Sequence, residues 1–163
     1  MSLSNSSFIL KNEGTLWVCG ANNKGQLGLG GGTSTTFTKA ADAVKSVYCG
    51  YDHTMILKND GTLWGCGYNN YGELGVGDAS SRSIFTQAIT NADNIESVYC
   101  GIYNTSVLKN DGTFWVCGYN GEGQLGLGNK PNKTTLTQVM TNADDIKLAC
   151  CGSYYTIMSK KDG

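Results

Sequence analysis

Short runs rich in β-branched and aromatic residues, each closed by a glycine or an Asn-Asp-Gly turn, set the pattern of this chain. The stretch ESVYCG at 96–101 is one such run, and TSVLKN at 105–110 follows it after a tight turn. GTFWVCG at 112–118 returns after Asn-Asp-Gly, where glycine accommodates a positive φ, so these two runs predict a β-hairpin. TLTQVM at 135–140 predicts a fourth, outer strand. Helical periodicity is sustained nowhere, and TNADNIES at 90–97 has room for one helical turn at most.

The pattern then repeats. The glycine of each Asn-Asp/Glu-Gly recurs as Gly14, Gly61, Gly112 and Gly163. A second signature, Gly50-x-x-His53-Thr54, recurs as Gly101-x-x-Asn104-Thr105 and Gly152-x-x-Tyr155-Thr156. The first spacing is four residues short, and we assign the deficit to the loop after Gly30. Four strands in roughly 50 residues is the period of a β-propeller blade. The expected fold is therefore all-β: a single domain, 1–163, of about three four-stranded antiparallel blades, approximately 1–50, 51–101 and 102–152, with a partial unit at 153–163.

The repeated strings also carry a family resemblance. GTLWGCGYNNYGELGVGD followed by YCGYDHT resembles the regulator-of-chromosome-condensation repeat, whose pattern is G-x-N-x-x-G-Q-L-G-x-G and then A-x-G-x-x-H-T. The matching positions are Gly67, Asn69, Gly72, Leu74, Gly75, Gly77, Gly101 and their repeats. Two departures stand out. Cys19, Cys66 and Cys117 occupy the usual tryptophan position, and the His of H-T survives only as His53. The resemblance implies a propeller of seven blades and roughly 350 residues. The chain begins and ends at nearly the same phase of the repeat. That phasing predicts either a homodimer closing a six-bladed ring or a segment of a longer propeller.

Composition narrows the function by exclusion. Twelve basic and thirteen acidic residues give a net charge of −1, with no basic cluster for nucleic acid or anionic lipid. No apolar run approaches the ~18 residues of a membrane helix. The string GQLGLGNK comes nearest to a phosphate loop, but its lysine is one place late and no helix follows. Its threefold recurrence marks it as a structural corner instead.

Six of the seven cysteines fall on two repeat positions, Cys19/Cys66/Cys117 and Cys49/Cys100/Cys151, without a C-x-x-C pair. No metal site and no cofactor are expected. Free buried thiols suit a reducing compartment and so favour the cytoplasm, while disulfides stay open if the protein is exported. His53, the single histidine, has no nucleophile at a telling spacing and is expected to pin a turn by a hydrogen bond. Trp17, Trp64 and Trp115 are expected to pack between blades. The chain is not expected to be an enzyme.

Letters that change within this constant frame are the candidates for recognition. They are Tyr51, Asp52, Tyr68, Asn70, Tyr71, Tyr103, Tyr119, Glu122 and Tyr154. Their Tyr-rich character suits adaptable protein contacts. The expected function is a non-catalytic protein–protein interaction module using loops at one end of a propeller. The expected partners are an unidentified protein and a second copy of this chain, with no nucleic acid and no membrane. The alternative is a small-ligand or enzymatic site in the central channel. The resemblance itself implies guanine-nucleotide exchange, nucleosome binding or β-lactamase inhibition. Exchange would call for an inserted wedge that no repeat carries, and nucleosome binding for basic loops.

Overall fold

The computed structural model describes residues 5–89, 94–140, 146–152 and 155–160. Every regular element among them is a strand, and neighbouring strands pair antiparallel. The first sheet comprises β1 (Ser6–Leu10), β2 (Leu16–Gly20) and β3 (Ser34–Ala41), in that order. Two complete blades follow. One is β4 (Val44–Cys49), β5 (His53–Lys58), β6 (Leu63–Gly67) and β7 (Arg82–Ile89). The other is β8 (Ile95–Cys100), β9 (Asn104–Lys109), β10 (Phe114–Gly118) and β11 (Lys133–Met140). β12 (Ile146–Cys151) and β13 (Thr156–Lys160) form a final two-stranded piece. The β4 strand lies beside β1 and β8, and β8 beside β12, so these strands form the inner rim of the arc.

The core lies between blades. Leu16, Val18 and Leu27 of the first blade pack with Val44 and Ile56 of the second. Met55, Leu57, Leu63 and Leu74 of the second pack with Ile95, Val98 and Val107 of the third. Trp64 and Trp115 lie against these two clusters, at blade interfaces as expected. Each fully buried aliphatic side chain contributes about 1.5–3 kcal/mol, so blades stabilise one another more than any blade stabilises itself.

The glycine corner belongs to this interface. Leu27 and Leu74 plug consecutive inter-blade clusters. Beyond each plug the chain pairs with the next blade's outer strand, through Gly30 N–H to Ser83 O (2.9 Å) and Gly77 N–H to Thr134 O (2.9 Å). At Gly72, with φ +91°, an added Cβ would lie 2.5 Å from Lys133 O and 2.6 Å from Thr134 Cα. Only glycine lets the neighbouring backbone come so close.

Two expectations need correction. The four-residue deficit does not sit in one loop. Fourteen residues separate the paired Gly20 and Ser34, against fifteen for Gly67–Arg82 and Gly118–Lys133, so one residue is lost before β3. The other three are lost between β3 and β4, where the chain turns through Ala43 at φ 55°. The register marks both places because Leu16 pairs Ala41 as Leu63 pairs Ile89. In the stretch 90–97, Ile95 already begins strand β8, since Ile95 is drawn into the inter-blade core. Residues 90–93 lie outside the described residues.

Candidate functional site

At the end of the sheets opposite the Asn-Asp-Gly turns, two loops of each blade meet. Backbone bonds zip them together: Ala21 N–H to Asn5 O (2.7 Å), Tyr68 N–H to Asp52 O (2.8 Å) and Tyr119 N–H to Tyr103 O (2.8 Å). Within the corner, a buried asparagine organises the chain by its side chain. Asn69 Oδ1 accepts Leu74 N–H at 2.8 Å, and its Nδ2 donates to Asp78 O (2.9 Å) and Ser80 O (3.0 Å). Asn120 repeats this with Leu125 N–H (3.0 Å), Asn129 O (2.7 Å) and Pro131 O (3.2 Å).

On this frame four of the nine sequence candidates converge. Tyr71 is central, with its ring centroid 6.0 Å from Tyr68, 5.4 Å from Tyr103 and 5.0 Å from Tyr119. Tyr103 closes the group at 6.3 Å from Tyr68 and 6.4 Å from Tyr119. Tilted and edge-to-face geometries dominate, the arrangement that ring quadrupoles favour. Each ring is half-buried, so the cluster presents partly covered aromatic surface from two blades. Lys24 of the first blade extends the group, its Nζ 5.6 Å from the Tyr68 centroid.

The other candidates lie apart from the rings. Tyr51 is exposed and anchored by its N–H to Gly101 O at 3.2 Å. Asp52 is half-buried; burial raises its carboxyl pKa, with Lys24 acting in the opposite sense. Asn70 and Glu122 point to solvent, and Tyr154 lies outside the described residues.

Two residues that sequence reasoning left out shape the site. Glu73 stands where the other corners have Gln26 and Gln124. It is fully buried, its Oε2 accepts Tyr71 N–H at 2.9 Å, and its Oε1 has no partner. Burial pushes its pKa up to about 7, against backbone hydrogen bonds that lower it. The Gln–Glu–Gln alternation was the readable signal. Lys24 was visible as a variable letter, but its approach to Tyr68 crosses between blades.

His53 makes its bond across the interface rather than within its turn: Nε2 lies 2.9 Å from Thr105 Oγ1. Both residues are buried, and burial lowers the His53 pKa to about 4, so the imidazole is neutral. Cys66 and Cys117 also reach across corners, their thiols donating to Gln26 O and Glu73 O at 3.4 Å. Burial pushes the Cys66 thiol well above its ordinary value, which suppresses the reactive thiolate. Among the described residues, no group of three or more His, Cys, Asp or Glu is placed to hold a metal ion.

Blades that pack face to face, with recognition letters grouped on connecting loops, define a β-propeller repeat protein. The chain belongs to the Regulator of chromosome condensation (RCC1) repeat family: the repeat's sequence profile matches residues 13–57, 60–108 and 111–158. It is 35% identical over 131 residues to the X-linked retinitis pigmentosa GTPase regulator of Mus musculus, covering 76% of this chain and 13% of that protein. The Homo sapiens counterpart is 32% identical over 140 residues, covering 82% and 14%. The chain thus spans about a seventh of the length of these relatives. Among solved structures, Prp20p of Saccharomyces cerevisiae, studied for binding to Gsp1p and histones, superposes with a TM-score of 0.80 at 23% identity. That match covers 94% of this chain and 41% of Prp20p. Yeast RCC1 (Prp20) bound to Kap60 gives 0.85 at 20% identity, covering 98% and 40%. At such identities the likeness establishes the fold.

Proposed function

We propose that this chain is a non-catalytic interaction segment of a β-propeller that docks a protein partner on the Tyr68–Tyr71–Tyr103–Tyr119 cluster. The observation carrying this reading is the convergence of four half-buried rings from two blades on one loop end. Tyrosine supplies broad amphipathic contact area at small entropic cost, which suits a protein surface. Prp20p, which shares the fold, binds proteins. The neutral, sealed His53 supports the non-catalytic reading. The test is affinity measurement against a purified partner for wild type and for Tyr71→Ala/Tyr103→Ala. A loss of at least tenfold with an intact fold is expected. Unchanged affinity would remove the cluster from the interface. A reproducible melting shift with a sugar or nucleotide, and no protein partner, would favour the channel-site alternative.

A second copy of this chain is also proposed as a partner. Ile9 and Leu10 on edge strand β1, and Ile157 on edge strand β13, are exposed. Unpaired edges bearing apolar residues favour strand-edge association. Light scattering tests this reading: a dimer at micromolar concentration is expected, and a folded monomer would overturn it.

A further inference from the structure

The first corner lacks one residue, and the loss falls on a buried side chain. In the second and third corners the asparagine Nδ2 donates to two loop carbonyls, Asp78 O and Ser80 O for Asn69, and Asn129 O and Pro131 O for Asn120. In the first, the loop runs through Gly30-Gly31-Gly32-Thr33. Asn22 is 3% exposed and keeps its Oδ1 bond to Leu27 N–H at 2.9 Å, yet its Nδ2 has no partner. A buried amide donor without an acceptor is costly and calls for an explanation.

The explanation lies beside it. A cleft of about 390 Å³ opens against this corner, lined among others by Asn22, Lys24, Gly31, Gly32, Ser81 and Ser83. The lining is rich in donors: an amide, an ammonium, a serine hydroxyl and glycine backbone. Ser81 is already engaged, accepting Asn69 N–H (3.2 Å) and donating to Asn70 Oδ1 (3.4 Å). No Asp or Glu lines the cleft; Asp52, which feels Lys24 from the next blade, is the nearby acid.

We infer that this cleft receives a carboxylate presented by an acidic residue of a protein partner. One oxygen takes the place of the loop carbonyls that Asn69 and Asn120 meet within their own corners, and Lys24 balances the charge. The assignment rests on the interaction reading above, and it adds an acid-selective pocket beside the tyrosines.

The test needs no partner. The ¹⁵N-labelled full chain is titrated with sodium acetate at constant ionic strength, following the Asn22 side-chain amide, assigned with Asn22→Asp. A saturable shift at Asn22, absent at Asn69 and Asn120, is expected. Lys24→Ala is expected to weaken it at least fivefold. Replacing residues 31–33 by the four-residue Asp-Ala-Ser-Ser of 78–81 is expected to abolish it. No saturable shift, equal shifts at all three asparagines, or tighter saturation by inorganic phosphate would each overturn the inference. Failure here with the Tyr71→Ala/Tyr103→Ala effect intact would overturn the cleft alone.

Discussion

The two ends of the blades are built by different means, and their sequences differ accordingly. At the Asn-Asp/Glu-Gly end, side chains hold the turn. Thr15, Thr62 and Thr113 donate to Glu13, Asp60 and Asp111 at 2.6–2.8 Å. Trp17, Trp64 and Trp115 donate in turn to those threonines at 2.7–3.1 Å. Lys11, Lys58 and Lys109 cover the indoles at 4.4–4.6 Å. Because these side chains carry the geometry, the letters barely change from blade to blade. At the other end backbone bonds hold the loops together, so Ala21, Tyr68 and Tyr119 occupy one position interchangeably. Where the backbone holds the frame, side chains are released for recognition.

The comparison breaks most visibly at Gly72. Gly72→Ala is expected to cost about 2–5 kcal/mol, from left-handed strain plus a clash with the next blade's backbone. Gly123, at φ +81°, has open space where a Cβ would go, so Gly123→Ala is expected to cost only about 1–2 kcal/mol. Urea denaturation of the pair checks the difference; equal costs would mean that the inter-blade approach is unimportant.

Next in size is the buried acid. Glu73 titrates near 7 in the fold against an ordinary 4.5, so its contribution is intact below about pH 4.5 and is lost as pH rises through about 7. His53 acts in reverse: with about 4 against 6.5, its contribution is present above pH 6.5 and lost as pH falls toward 4. The two slopes oppose each other across the acidic range and flatten the stability profile. Glu73→Gln is expected to stabilise the chain at pH 8 by about 3 kcal/mol, and to leave a profile that declines only toward acid. Thermal melts from pH 4 to 8 read both effects.

Smaller losses separate the two ends. Tyr71→Ala removes three ring contacts and is expected to cost about 1–3 kcal/mol, with loss of the near-ultraviolet dichroism of the tyrosines. Lys58→Ala removes one exposed cation–π contact and is expected to cost about 0.5–1 kcal/mol by urea denaturation. If Lys58→Ala cost more than Tyr71→Ala, the division between a side-chain-held end and a backbone-held end would fail.

Much of this was legible because it is local. The outer strand at 135–140 and the hairpin closed by Asn110-Asp111-Gly112 stand where the pattern placed them, as β11 and the β9–β10 pair. The four-residue deficit was readable as a length, but not as one residue before β3 and three after it. Only pairing register divides a gap between two loops. Tyr68, Tyr71, Tyr103 and Tyr119 could be picked as variable letters. Their meeting could not, because it depends on how far one blade is rotated against the next.

The sequence by itself determined the blade: its strands, its turns and the glycines of its corners, all governed by bonds within or between neighbouring strands. Tertiary structure alone decided what each corner faces. It brought tyrosines of two blades into one cluster, buried Glu73 beneath it, sent His53 to Thr105 and left the Asn22 amide turned to a cleft. The physical reason is one of range. A turn is set by the dihedrals of a few residues, whereas burial and unmet hydrogen bonds depend on atoms brought close by packing from a neighbouring blade.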